Sequence, residues 1–359
     1  MQALALIEAP GHVCYRYRVA AFRDWLAAVG VRLDAMPLGR GLIRRLRALR
    51  AARRTDVVIL QRKLLPLWQL RLLRKWSRRL VYDVDDAVFQ RDSYCTRPPE
   101  SWQRLAAYWA TAHTADAVIA GNDFLRQRTA EYIDPSRVHL IPTCVDPARY
   151  PLAAHTRKDA IRLTWIGQRS TLPSLSLAGP RLASASRMVS GLELHVVADA
   201  FPDLPEVTVV PHHWSEDSEC RLLAEADIGI SWLPDDDWSR GKCGLKVLQY
   251  MAAGLPVLAN PVGCHYDMVL DGETGFLVRT PVEWAAAVRR LANDPPLRRA
   301  MGRAGRHRVE QHYSVDQWGS RFASIVANLP IAGTIPARTA PSDPLPSSAE
   351  SGLPERKAA

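Results

Sequence analysis

Short apolar runs alternate with segments of helical periodicity along most of the chain. In the first half, the apolar runs predict strands at 3–7, 31–35, 56–60, 79–84, 117–120 and 138–141. Apolar positions at helical spacing predict helices at 16–29, 42–53, 66–76, 100–113 and 123–132. Runs such as VVIL at 57–60 are apolar at every position, which is typical of parallel strands covered on both faces.

The same alternation restarts after a proline-containing linker at about 142–159. Predicted strands of the second half are 162–166, 193–197, 207–210, 227–231, 256–259 and 275–278. Predicted helices are 172–188, 216–226, 244–253, 282–292, 296–311 and 314–328, with Ser314 as the N-cap of the last one. The chain is therefore expected to be an α/β protein with two doubly wound, Rossmann-like domains.

Domain boundaries follow from these elements. We expect one domain at 1–145 and a second at 160–312, followed by a helix at 313–329 that crosses back to the first domain. The last segment, 330–359, is rich in Pro, Ala and Ser and is predicted to be disordered. The carboxyl ends of both sheets should face a cleft between the domains, where ligands bind.

Positive charge is concentrated in one part of the chain. The net charge is +10, and residues 40–79 contain fourteen Lys or Arg against one acid, Asp56. Apolar residues recur at helical spacing between these arginines, as at Leu42, Ile43, Leu46 and Leu49. The segment is a candidate for contact with an anionic membrane surface. A solvated basic face behind a core helix is the alternative, and no nucleic-acid partner is expected.

Cysteine usage and the distribution of apolar residues indicate a compartment. The six cysteines are scattered without a CxxC pair, which favours a reducing cytosol and argues against structural zinc. No apolar run approaches the roughly 18–20 residues that span a bilayer, and the first residues lack the charged n-region of a secretion signal. We expect a cytoplasmic protein, and the basic segment would allow it to be peripheral on the inner face of the membrane.

The segment GKCGLKVLQYMAAGLPVLAN at 241–260 carries the strongest chemical signal. It predicts a helix that opens at Cys243 or Gly244, directly after a loop of small residues. A helix amino terminus offers unpaired N–H groups and a positive dipole end. Lys242 and Lys246 add cations beside it, so the arrangement suits a diphosphate.

This segment, together with DGETGFLV at 271–278 and MGRAGRHRVEQHYS at 301–314, resembles the second domain of the family 4 (group 1) retaining glycosyltransferases. ADAVIAGNDFLRQ and VHLIPTCVDPARY resemble the domain junction of that family, so the similarity runs from about 55 to 330. The resemblance implies the two-domain GT-B fold. It also implies that the first domain binds the acceptor and that the second binds a nucleotide-sugar donor.

One feature departs from the family pattern. Those enzymes usually carry two glutamates eight positions apart around this helix, and the aligned positions here are Gly241 and Gln249. By resemblance, the second position contacts the ribose, and Gln249 keeps an acceptor oxygen for that role. Nothing is carried over to Gly241, which has no side chain. A degenerate, inactive copy of the family is the alternative.

A second donor element is predicted at the end of the first strand of the second domain. Gly167 lets the backbone approach a phosphate, Arg169 offers a guanidinium fork, and Ser170 can bond a phosphate oxygen or cap the helix. A plain helix cap is the alternative. Trp214 follows a later strand, where the family places the nucleotide base, and is a candidate to stack on it.

Carboxylates end a strand of the first domain in LVYDVDDAVF. Asp83, Asp85 and Asp86 are expected to face the cleft, and Asp85 and Asp86 are candidates to bind the acceptor or to take its hydroxyl proton. A cluster of helix caps is the alternative. No metal is expected, because the resembled enzymes neutralise the leaving diphosphate with protein cations. In the loop after the first strand, Arg16 and Arg18 are candidates for an anionic acceptor.

The sequence thus predicts a glycosyltransferase that moves a sugar from a nucleoside diphosphate to a saccharide or lipid-linked hydroxyl, with retention implied by the resemblance. Lys246, Asp85 and Asp86 are the expected catalytic residues. Gly167, Arg169, Ser170, Trp214, Lys242, Gly244 and Gln249 are expected to bind the donor. No cofactor beyond the donor is expected. The alternatives are a nucleotide-sugar 2-epimerase of the same fold and a non-catalytic protein that binds polyanions or membranes.

Overall fold

The computed structural model describes residues 1–39, 41–156 and 160–329. The predicted disordered tail at 330–359 lies outside these residues. The strands of the described part are β1 (Gln2–Ile7), β2 (Arg32–Pro37), β3 (Val57–Gln61), β4 (Leu80–Val84), β5 (Ala117–Ala120), β6 (Val138–Leu140), β7 (Ile161–Ile166), β8 (Leu192–Ala198), β9 (Thr208–His213), β10 (Ile228–Ser231), β11 (Val257–Ala259) and β12 (Gly275–Leu277).

The helices that join these strands alternate with them as the sequence predicts. They are α1 (Val13–Arg18), α2 (Arg23–Ala28), α3 (Leu42–Ala51), α4 (Leu67–Trp76), α5 (Trp102–Thr114), α6 (Asp123–Ala130), α7 (Leu172–Leu177), α8 (Gly179–Met188), α9 (Glu219–Ala224), α10 (Asp237–Arg240), α11 (Leu245–Ala252), α12 (Cys264–Met268), α13 (Pro281–Asn293), α14 (Pro295–His312) and α15 (Val315–Ala327).

Two six-stranded parallel sheets organise the molecule. The first has the order β2-β1-β3-β4-β5-β6 and the second has the order β12-β11-β10-β7-β8-β9. Each sheet has an apolar core on both faces, which explains why strands such as VVILQ are buried throughout. The order reverses next to β1 in the first sheet and between β7 and β10 in the second. These observations confirm the predicted doubly wound α/β fold.

Local capping changes several predicted helix boundaries. The helix predicted at 16–29 begins earlier, because the imidazole of His12 accepts a hydrogen bond from the Cys14 amide and caps α1. A 3-10 turn at Ala20–Phe22 then separates α1 from α2. The helix predicted at 172–188 is divided between Leu177 and Gly179. The short helices α10 and α12 were not predicted.

The last helix, α15, lies on the first domain. The ring of Phe322 stacks on Phe22 with the ring centroids 4.4 Å apart. A Cβ at Gly319 would overlap Cδ1 of Trp25, so only glycine allows this approach. Ser314 caps the helix by accepting from the Gln317 amide at 3.2 Å, as predicted. Among the described helices, none combines the length and the apolar character needed to cross a membrane.

Candidate active site

The loop that leads into α11 lies directly against the first domain. Nδ2 of Asn122, at the carboxyl end of β5, donates to the carbonyl oxygens of Arg240 at 3.0 Å and Lys242 at 2.9 Å. The Cys243 thiol donates to the Asp85 carbonyl oxygen at 3.3 Å and packs among apolar residues of the first domain. The carboxyl ends of the two sheets therefore meet here, as the fold requires.

Two glycines make this close approach possible. A Cβ at Gly241 would lie 2.6 Å from Cβ of Ala87, and a Cβ at Gly121 would lie 2.5 Å from Sγ of Cys243. Both distances are shorter than any ordinary contact between such atoms. Position 241 therefore has no room for a side chain while the domains are in contact, which gives a physical reason for a glycine there.

The amino terminus of α11 brings the two predicted donor elements together. Gly244 has φ +61° and caps α11, and a Cβ there would meet Sδ of Met268 at 2.5 Å. In the first turn of α11, Nζ of Lys246 lies 4.3 Å from the ring centroid of Trp165, at the end of β7. Burial, together with the neighbouring charge of Lys242, lowers the pKa of Lys246 to about 7.

The structure gives a different reason for Gly167 from the one predicted. A Cβ at this position would overlap Cη2 of Trp165, so the indole ring requires glycine whether or not a phosphate approaches. The side chains of Arg169 and Ser170 are exposed beside it. The Arg169 amide donates to Oδ1 of Asp199 at 2.6 Å, which fixes the loop backbone. Arg169 therefore lies in the loop that follows β7. Trp165 lies at the end of that strand, and its ring faces the Lys246 ammonium group.

The three aspartates of this segment have different surroundings. The prediction that Asp83 faces the cleft is wrong, because it is fully buried against Arg18, with Oδ1 and Nη2 2.6 Å apart. Arg18 is therefore not available to an acceptor either. Asp86 forms an ion pair with Arg62 and another with Lys242, whose Nζ lies 3.0 Å from Oδ2. Asp86 thus connects the first domain to the loop that precedes α11.

Asp85 lies beside this ion-pair cluster where the two domains meet. Its side chain is 7% exposed, and Nε of Arg62 lies 4.0 Å from Oδ1. Burial opposes its ionisation, but the charges of Arg62 and Arg18 hold its pKa below the ordinary value. Asp85 is therefore an anion at neutral pH. Among the described residues, no group of three His, Cys, Asp or Glu side chains is placed to hold a metal ion.

Trp214 and Gln249 lie where the second domain contacts α1 of the first domain. Trp214 is 40% exposed, and its Nε1 donates to Oε2 of Glu219 at 2.8 Å. The guanidinium of Arg16 lies 5.6 Å from its ring centroid. Gln249 is only 4% exposed, and its Nε2 donates to the hydroxyl of Tyr17 at 3.2 Å. The base and ribose roles of these two residues stay predictions.

Comparison with known proteins tests the predicted family resemblance. Residues 180–324 match the family model described as glycosyl transferase-like. Alpha-maltose-1-phosphate synthase of Mycolicibacterium smegmatis is 28% identical over 281 residues, which are 66% of this chain and 70% of that protein. D-inositol 3-phosphate glycosyltransferase of Kineococcus radiotolerans is 27% identical over 66% of this chain and 63% of its own length. These similarities support the predicted resemblance to the family 4 (group 1) glycosyltransferases.

Solved glycosyltransferase structures agree with the GT-B fold. Sucrose-phosphate synthase from Thermosynechococcus elongatus superposes with a TM-score of 0.71 at 17% identity, covering 90% of this chain and 97% of that one. HepE from Anabaena, solved with UDP and glucose, superposes with a TM-score of 0.69 at 15% identity, covering 92% and 100%. At such low identity these similarities show the fold alone, and they confirm the GT-B arrangement.

Several residues of this candidate site were not found from the sequence. Trp165 lies two positions before Gly167 at the end of a strand. This spacing is only a weak indication that the indole ring would lie under a lysine. Arg62 has φ +59°, an uncommon backbone conformation for a residue with a side chain, and it reaches both cleft aspartates. No local sequence pattern indicated Tyr17 or Glu219, because each forms its hydrogen bond with a residue of the other domain.

Exposed apolar side chains, here called the exposed apolar cluster, lie at the starts of α3 and α4 in the basic segment and at the start of α5 outside it. Ile43 at the start of α3 is 84% exposed, Leu67 and Trp68 at the start of α4 are 55% and 47% exposed, and Trp102 at the start of α5 is 81% exposed. The opposite faces of these helices, including Leu49 and Leu73, are buried in the first domain. The core-facing side agrees with the interpretation of a basic face behind core helices, whereas contact with a membrane stays a prediction.

Proposed function

We propose that this glycosyltransferase moves a sugar from a nucleoside diphosphate sugar to an acceptor hydroxyl, with retention, in the synthesis of a glycolipid or cell-surface polysaccharide. One observation carries the proposal. The amino terminus of α11, Lys246 and the loop after β7 converge at the switch point of the second sheet, opposite Asp85 and Asp86.

The second domain would bind the donor. Lys246 and the fork of Arg169 would neutralise the diphosphate, together with the backbone N–H groups near Gly167 and Gly244. These groups act most strongly on the charge that develops on the leaving diphosphate, so they lower the barrier and do not only tighten binding. Trp214 would stack on the base, and Gln249 would contact the ribose.

The first domain would bind the acceptor. Asp85 is ionised and lies just after the end of β4, where the domains meet, so it would orient an acceptor hydroxyl or accept its proton. Asp86 would hold Lys242 so that this cation stays beside the donor loop. We propose that protein cations do the work of a metal here, and that no cofactor is needed beyond the donor.

A panel of nucleotide sugars tests the donor. A ligand at a hundred times its Kd should stabilise the fold by about 2.7 kcal/mol in thermal unfolding. Lys246→Met should abolish this shift and lower kcat on the order of 100-fold, whereas Lys75→Met, at an exposed position on α4, should do neither. Conversion of the donor without any acceptor would instead support the 2-epimerase.

We further propose that the exposed apolar cluster at the starts of α3, α4 and α5 rests on an anionic membrane, where a lipid-linked acceptor would be found. Aromatic and aliphatic side chains among arginines suit the boundary between headgroups and acyl chains. The relative GDP-mannose-dependent alpha-(1-6)-phosphatidylinositol monomannoside mannosyltransferase of Mycolicibacterium smegmatis, 32% identical over 44% of this chain and 41% of its own length, is named for a lipid substrate.

Flotation with vesicles tests the membrane surface. Binding to phosphatidylglycerol vesicles should weaken with salt and should be lost in the double variant Ile43→Ser/Trp102→Ser. Val282→Ser removes an apolar side chain that is 72% exposed on α13, outside the cluster, and serves as the matched control. Equal flotation of all three proteins would contradict the assignment of this surface.

A further inference from the structure

A buried polar network joins the two domains behind the donor site. It contains Tyr17 of α1, Tyr150 of the linker, and Glu219 and Gln249 of the second domain, all between 2% and 5% exposed. The Tyr17 hydroxyl oxygen lies 2.9 Å from Oε1 of Glu219, 3.0 Å from the Tyr150 hydroxyl and 3.2 Å from Nε2 of Gln249. Tyr17 is thus the centre through which the second domain contacts α1.

The protons of this network can be counted. Oε1 of Glu219 accepts from Nη2 of Arg16 at 2.9 Å, and Oε2 accepts from Nε1 of Trp214 at 2.8 Å. Guanidinium and indole N–H groups only donate, so both carboxylate oxygens act as acceptors here. The third contact of Glu219 is the Tyr17 hydroxyl, whose single proton must therefore point at Glu219.

This count fixes the orientation of Gln249. Since Tyr17 has given its only proton to Glu219, its oxygen can only accept from Gln249. The Gln249 side chain must therefore direct its NH₂ group at Tyr17, which also places that group 3.3 Å from the Tyr150 hydroxyl. A glutamate at 249 would have no proton to donate and would add a second buried charge near Glu219.

We propose that Tyr17 and Glu219 are positioning residues that act across the domain junction. They fix the Gln249 amide with its NH₂ group toward Tyr17, so that Oε1 is the atom left for the donor. Because Tyr17 belongs to the first domain, this orientation is set only when the domains are closed. The ribose end of the inference rests on the proposed function, whereas the hydrogen-bond network itself does not.

A charge-swap series tests the proton count. Gln249→Glu should raise the donor KM at least tenfold with a smaller change in kcat, and should lower Tm by about 3–6 °C. Glu219→Gln should also lower Tm. The swap Glu219→Gln/Gln249→Glu is made, like its single variants, on an Arg16→Met background, because Arg16 also donates to Oε1 of Glu219. There the new amide at position 219 donates to the Tyr17 oxygen, and Tyr17 gives its proton to the new carboxylate at position 249. We expect the double variant to recover at least half of both losses.

Two further variants distinguish this hydrogen-bond network from a general loss of stability. Adding Tyr17→Phe to the double variant should abolish the recovery, whereas adding Tyr150→Phe should leave part of it, because Tyr150 has no hydrogen bond to Glu219 among the described contacts. Losses that simply add in the double variant, with an intact circular dichroism spectrum, would overturn the inference. Recovery of Tm in a protein that binds no nucleotide sugar would support the network and refute the proposed function.

Discussion

Lys246 gives the sharpest prediction, because its charge depends on pH near neutrality. Burial and the charge of Lys242 lower the pKa of Lys246 to about 7, so the free protein loses this cation as the pH rises through that value. The diphosphate of a nucleotide sugar, esterified at both ends, keeps the same charge across this range. The donor affinity should therefore fall as the pH rises, and the change should report Lys246 directly.

The size of the effect follows from the protonated fraction. With a pKa of about 7, Lys246 is about 90% protonated one unit below that value and about 10% protonated one unit above it. If only the protonated form binds the diphosphate, the Kd for the donor should rise about tenfold across these two units, or about 1.4 kcal/mol. The slope should flatten at lower pH, where nearly every molecule carries the charge.

Isothermal titration calorimetry with the best nucleotide sugar, at constant ionic strength, measures this change. Lys246→Arg keeps the charge at every pH and should give a nearly flat profile, even if its affinity is lower because the planar guanidinium stacks differently on Trp165. Lys75→Arg, at an exposed site, should keep the wild-type slope. A Kd that is constant across this pH range, or the same slope in Lys246→Arg, would refute the argument.

Three further predictions concern the framework of the site. Gly241→Ala places a Cβ 2.6 Å from that of Ala87, so kcat/KM should fall at least tenfold while far-UV circular dichroism stays unchanged. Arg18→Met leaves the buried Asp83 carboxylate uncompensated and should cost about 3–5 kcal/mol in urea unfolding, much of it restored by adding Asp83→Asn. Ser314→Ala removes a helix cap and should cost about 1 kcal/mol in the same assay, whereas Ser314→Thr, which keeps the hydroxyl that also donates to the Glu310 carbonyl oxygen, should retain most of the stability.

Much of the proposed donor side was predictable, because its residues lie close together in the sequence. The left-handed backbone at Gly244, the helix that follows it and the two lysines all lie within a few residues of one another. The phosphate role of Gly167 stays a prediction, and the structure adds a reason for glycine that the sequence did not show: Trp165, two positions earlier, takes the space of a side chain. An indole ring folding back under its own loop has no periodic signature that a sequence pattern could show.

The proposed acceptor side was less predictable. The alternation of residues in a strand could not tell Asp83, paired with Arg18, from Asp85 where the domains meet. Which aspartate is buried depends on where β4 ends, and the structure places that end at Val84. Asp86 reaches Lys242, 156 positions away in the chain, only because the two sheet edges face each other.

The sequence by itself determined the strand and helix pattern, the doubly wound class of both domains and the glycine-lysine start of α11, because apolar periodicity and helix capping act over a few neighbouring residues. Only the tertiary structure decided that Gly241 meets Ala87 and that Glu219 meets Tyr17, 202 positions away. Such contacts depend on how two separately folded domains close on each other. No local sequence pattern determines that geometry. The orientation of Gln249 and the ion pairs of Asp86 with Arg62 and Lys242 therefore follow from the fold.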